Sequence, residues 1–140
     1  MIYNLTYNNK RANTAINELV GKPFGFRERW KMGRVGSRKM LLTAHSHAFE
    51  DLINPDHYST FASIELRRDG IIVHFQQGYR NFAWPIPFYK LVIYQSRGIS
   101  IHAEGHYLKF EKAKTDHLRF VKTIIDKKAK WQGSLGHLSF

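Results

Sequence analysis

Between Lys10 and Val20 the apolar residues Ala12, Ala15, Ile16, Leu19 and Val20 recur at the three- and four-residue spacing that puts them on one face of a helix. Asn8 or Asn9 is placed to cap its start. Gly21, followed by Lys22 and Pro23, supplies a stop, because glycine takes a left-handed conformation cheaply and proline cannot continue the helix. From Phe24 the period changes to two. Phe24, Phe26, Glu28, Trp30 and Met32 alternate with Arg27, Arg29 and Lys31, the pattern of a strand with one mostly apolar and one basic face. "GRVG", residues 33–36, reads as a bend and "RKMLLTAH" as a returning strand. The stretch is therefore expected to be a hairpin with Phe26 and Trp30 anchored inward.

"HAFEDLINPD", residues 47–56, predicts a short helical turn ended at Pro55. Beyond Thr60 the chain becomes a meander. Short β-rich runs (FASIELR, IIVHFQ, RNFAW, FYKLVIYQ, ISIHAE, HYLKFE) are separated by turn signals at Arg68-Asp69-Gly70, Gln77-Gly78, Arg97-Gly98 and Gly105, and by a corner at Pro85-Ile86-Pro87. Asp69-Gly70 is the strongest of these signals, since both residues tolerate positive φ. After Thr115, a good N-cap, the helical period returns. Leu118, Val121, Ile124, Ile125 and Trp131 form a stripe expected to pack on the sheet, with Arg119, Lys122, Lys127 and Lys130 on the other side. With no repeat, low-complexity tract or linker, residues 1–140 read as one domain.

Ten Phe, seven Tyr and three Trp within an apolar fraction of 43% argue for a packed globule rather than a disordered tail. Cysteine is absent, which removes disulfides, thiolate metal sites and cysteine catalysis and points to a reducing, cytoplasmic setting. The first residues carry no apolar signal region and no run is long enough to cross a membrane, so no leader or span is expected. The net charge of +11 is uneven: nine bases stand against two acids in residues 1–46, five against six in 47–104, and eight against three in 105–140. Basic ends around a neutral centre attract phosphate-bearing partners if the fold brings them together.

The order of a strand meander and one amphipathic C-terminal helix, with the step Trp84-Pro85-Ile86-Pro87-Phe88 leading into "KLVIY", resembles bacterial pleckstrin-homology-like (PH-like) domains over about residues 60–131. The resemblance implies a mainly β (β+α) fold: a PH-like antiparallel barrel of about seven strands, plugged at one end by the C-terminal helix. The N-terminal helix is extra to that plan. It also implies a scaffold for ligand or protein binding. In eukaryotic PH domains Lys and Arg of the first hairpin hold phosphoinositides, and Lys31, Arg34, Arg38 and Lys39 are similar in placement.

Other chemistry is thin. His45 and His47, near Glu50 and Asp51, hold two imidazoles with carboxylates close by, but spacing supplies no third metal ligand; His74, His102 and His106 read as solvent-facing. The glycines at 33 and 36 fit no phosphate-binding loop, and the acids Glu50, Asp51 and Asp56 are explained by solvation. Tyr79, Arg80, Phe82, Trp84, Tyr89 and Tyr94 interleave aromatics and bases as a nucleic-acid-binding β surface does, though a core needs most of those rings. The expectation is a non-enzymatic binding module without cofactor or metal. It docks a protein partner, a second copy of itself or an anionic lipid headgroup surface at the membrane periphery, through Arg27, Arg29, Lys31, Arg34, Arg38 and Lys39. A nucleic-acid-binding β-barrel is the alternative.

Overall fold

In the computed structural model residues 1–7, 9–53, 60–95, 98–111 and 115–136 are described, 134–136 by backbone alone. Asn8, Pro55, Asp56 and Arg97, each given a role above, lie outside them. The described elements are β1 (Tyr3–Asn4), α1 (Lys10–Val20), α2 (Phe26–Met32), β2 (Met40–His45), β3 (Phe61–Leu66), β4 (Gly70–Gln77), β5 (Arg80–Pro87), β6 (Val92–Gln95), β7 (Ile99–Ala103), β8 (His106–Phe110) and α3 (Thr115–Gly136), with single 3-10 turns at His47–Phe49 and Phe88–Lys90.

The strands form one antiparallel sheet in the order β1-β5-β4-β3-β2-β8-β7-β6. β2 is the hinge of this sheet: Met40 and Leu41 pair with β3, Leu42 onward with β8, and the register shifts between Leu42 and Ala44. The inner faces of both halves meet in one core. Ile64, Val73, Phe75, Trp84 and Ile86 come from one half and Ile99, Ile101, Leu108 and Phe110 from the other, with Phe49 seated edge-on against Phe75 and Trp84. The turn signal at Asp69-Gly70 joins β3 and β4 as expected. Gly70 is required there, because a Cβ would stand 2.3 Å from the Ile86 carbonyl oxygen and 2.8 Å from Val20.

α1 forms where its periodicity placed it. The Asn9 side chain caps it by accepting from the Ala12 amide, and Gly21 ends it at φ 89°. Of its expected stripe Ala12, Ile16 and Val20 lie on the outer face of the sheet, where Ile16 and Val20 meet Ile72 and Ala83 in a second, smaller apolar cluster, while Ala15 is half-buried and Leu19 is exposed. The three-residue apolar run Ile71-Ile72-Val73 is explained by this double cover, since a strand buried on both faces loses its alternation.

Three local expectations fail. Phe88–Lys90 is a 3-10 turn, so the "FYKLVIYQ" strand shrinks to Val92–Gln95, and Pro85 and Pro87 belong to β5 rather than to a corner. The buried stripe of α3 is His117, Phe120, Val121 and Ile124 with Trp131 half-buried, while Leu118 and Ile125 stay 44% and 45% exposed. The helix is rotated so that the larger Phe120, which the stripe had omitted, enters the core. The third failure is α2.

Candidate functional site

Residues 26–39 contain six Arg and Lys against one Glu. They do not form a hairpin: Phe26–Met32 is a helix, closed by Gly33 at φ 81° with its amide bonded to the Arg29 carbonyl at 3.0 Å. The physical reason lies in residue type. The segment holds no β-branched residue, and Arg, Glu, Lys and Met are good helix formers. Glu28 in the first turn and Arg29 and Lys31 in the last suit the helix dipole. The chain beyond Gly33 supplies the strand-like partner instead. Leu66 donates its amide to the Val35 carbonyl at 2.7 Å, and Ser37 donates its amide to Ile64 at 2.8 Å.

As a consequence Phe26 and Trp30 do not anchor anything inward. They are 83% and 82% exposed, one turn apart on the same side of α2. Met32 is the residue of α2 that packs against the core, and Glu28 pairs with Arg68 of the β3–β4 turn at 3.1 Å. Met32 and Glu28 therefore mark the inward side. With about 100° between successive residues, Phe26 and Trp30 sit about 120–160° away from them, facing out. Arg27 and Lys31 lie on one flank of the ring pair and Arg29 on the other.

The six expected anion-binding residues are only partly brought together. Arg27, Arg29 and Lys31 share α2 and Arg34 follows it directly; among the described residues none of the four has a carboxylate partner. Arg38 is held by Asp116, at the start of α3, at 3.4 Å. Lys39 stands apart, lining a crevice on the outer face of β3 and β4 with Phe61, Ser63, His74 and Gln76.

The structure adds residues that the linear reading left out of the site. Lys127 places its ammonium 5.3 Å from the Phe24 ring centre, just before α2. Asp116, Arg119, Thr123, Lys127 and Lys130 recur every three or four residues, which is one line along α3. Two of them, Asp116 and Lys127, touch the chain on either side of α2. The basic N-terminal segment therefore runs beside one flank of α3, and Arg119 and Lys130 join it as exposed cations.

The other candidates are dispersed or engaged. Phe82 and Trp84 are core residues, while Tyr79, Tyr89 and Tyr94 are exposed at three separate places, the β4–β5 turn, the 3-10 turn Phe88–Lys90 and β6. Tyr94, His102 and Tyr107 form a ladder of rings with centres 4.9 and 5.5 Å apart on the half of the sheet formed by β6, β7 and β8. His47 bonds Glu50 at 2.9 Å and His45 the Ser46 carbonyl at 3.0 Å; among the described residues no three His, Asp or Glu side chains gather as a metal site.

One charged cluster at the end of α1 is partly buried, with Arg67 its buried member. Arg67, 8% exposed, pairs with Glu65 and donates to Asn17 at 3.0 Å and to the Gly21 carbonyl at 2.8 Å, while His74 bonds the other Glu65 oxygen at 2.9 Å. Burial alone would raise the Glu65 pKa. The hydrogen bonds from His74 and Arg67, with the Arg67 charge, outweigh it and hold the carboxyl below its ordinary value. This cluster ties the end of α1 to the sheet, and its polar groups satisfy one another. Compared with protein-family models, curated proteins and solved structures, the chain finds no match in any of the three.

Proposed function

We propose that this protein is a non-catalytic binding module of PH-like build that docks a polyanionic, phosphate-bearing partner through α2, the turn after it and the adjoining flank of α3. The bent antiparallel sheet closed by a C-terminal helix supports the PH-like reading. The observation that carries the docking reading is the cluster of exposed cations Arg27, Arg29, Lys31 and Arg34, unpaired among the described residues, with Arg119 and Lys130 alongside. Unpaired like charges repel one another, so an anionic partner gains their attraction without first breaking internal ion pairs.

The test is binding at low and moderate salt to phosphatidylserine-containing vesicles and to a short single-stranded RNA. The wild type is expected to bind at least one of them in a salt-sensitive way. The variant Arg27→Glu/Arg29→Glu/Lys31→Glu is expected to lose that binding and keep its fold, because exposed charges contribute little to stability. Equal binding by the two proteins, or none by the wild type, would overturn the reading.

A further inference from the structure

We infer that the anionic partner is a lipid bilayer and that α2 is an interfacial wedge, its Phe26 and Trp30 rings entering the headgroup layer while the flanking bases meet lipid phosphates. The inference rests on the anion-docking reading and names its partner. Two large rings turned to water on one side of a helix are an unfavourable arrangement unless something covers them, and what borders them shows what that is. Arg27 and Lys31 on one flank and Arg29 on the other place cations on both sides of the ring pair, with Arg34 just past the helix end. At the buried centre of protein interfaces Trp, Phe and Arg are enriched and Lys is depleted, so the rings and arginines alone do not separate a protein partner from a lipid surface, and it is Lys31 beside the rings that favours lipid. Aromatic rings edged by Lys and Arg are instead the pattern of helices that lie in a membrane interface, where Trp is favoured at headgroup level and each nearby cation adds attraction to anionic lipid.

The geometry agrees with shallow insertion. A seven-residue helix is only about 10 Å long, suited to lying in the interface. Its inward side is fixed to the body by Met32 and Glu28, so the rings project from a supported base. Nucleic acid fits less well. Base stacking uses ring faces spread along a path, whereas the interleaved rings of the strands, Phe82 and Trp84, are in the core, and the α2 rings project from a single helical turn.

The test uses the full chain and vesicles of phosphatidylcholine with one quarter phosphatidylserine. Phe26→Ala/Trp30→Ala keeps every charge and, at exposed positions, the fold. It is expected to bind these vesicles about tenfold more weakly or worse, since two aromatic rings lose their burial. Trp84 is buried and Trp131 half-buried, so the shift of emission to shorter wavelength on vesicle binding is expected to come from Trp30, to be quenched by brominated lipid chains, and to vanish in Trp30→Phe, which still binds. If the double alanine variant binds vesicles as the wild type does and Trp30 emission stays unmoved, the wedge is overturned while docking by charge alone stands. If the protein binds RNA and ignores the vesicles, the bilayer is overturned as partner. Failure of the charge-reversed variant to lose any binding removes the underlying reading instead.

Discussion

α1 and α2 follow each other within the first third of the chain, and both are short helices ended by a glycine at positive φ. Their apolar residues have opposite fates. α1 buries Ile16 and Val20 at 2% and 0% exposure against Ile72 and Ala83; α2 buries nothing and holds Phe26 and Trp30 in water. α1 is attached by packing, with Arg67 bonded to Asn17 and to the Gly21 carbonyl at its end. α2 is attached by the buried Phe24 just before it, one half-buried Met, one exposed ion pair and the chain beyond Gly33. The contrast separates two uses of an apolar side chain: on α1 it holds the fold together, and on α2 it is available to a partner.

The largest expected difference between the two helices is in stability. Ile16→Ala should lower the unfolding free energy by about 3 kcal/mol, the usual cost of emptying a closed apolar site, measured by denaturant titration. A change below about 1 kcal/mol would show that α1 is not held by packing.

Next comes Glu65→Gln, expected to cost about 2 kcal/mol at neutral pH because it leaves buried Arg67 short of its carboxylate. The sign with pH follows from the lowered pKa of Glu65. A carboxyl depressed in the fold contributes stability that is fully present above its unfolded pKa and is lost as pH falls through the folded value. The melting temperatures of wild type and variant should therefore differ most above about pH 5 and converge in acid. A gap that widens in acid would contradict the arrangement.

Smaller still is Gly33→Ala, which tests the end of α2 alone. Beyond its chain neighbours no atom lies within 4 Å of the added methyl, so the cost is that of φ 81° with ψ −125°, a backbone region nearly confined to glycine, at about 1.5 kcal/mol. Last, Phe26→Ala and Trp30→Ala should each alter stability by less than about 0.5 kcal/mol, as exposed positions do. A loss of several kcal/mol in the folded monomer would mean that the rings are structural.

Most of the scaffold was legible because its signals were local and agreed with one another. Asn9, the Ile16/Val20 stripe and Gly21 define α1; Asp69-Gly70 defines the β3–β4 turn; Thr115 opens α3. Residues 26–32 alternate in side-chain character as a strand does, while their residue types favour a helix. The same residues also carry a helical spacing, Phe26 with Trp30 and Glu28 with Met32, and the absence of Val, Ile and Thr was the signal that should have decided between the two periods. β1 has two residues, too few for any periodicity to register. That the two basic ends share a flank was not available from sequence, because it depends on Asp116 meeting Arg38 and on Lys127 meeting Phe24, contacts between segments about 80–100 residues apart that only the folded chain creates.

Amide hydrogen exchange of the full chain, with and without phosphatidylserine-containing vesicles, tests the docking surface most directly. The account predicts new protection in residues 26–34 and along the Arg119-to-Lys130 flank of α3, with β6, β7 and β8 unchanged. Protection confined to the Tyr94, His102 and Tyr107 face, or no change in α2 under conditions where the protein is vesicle-bound, would contradict it.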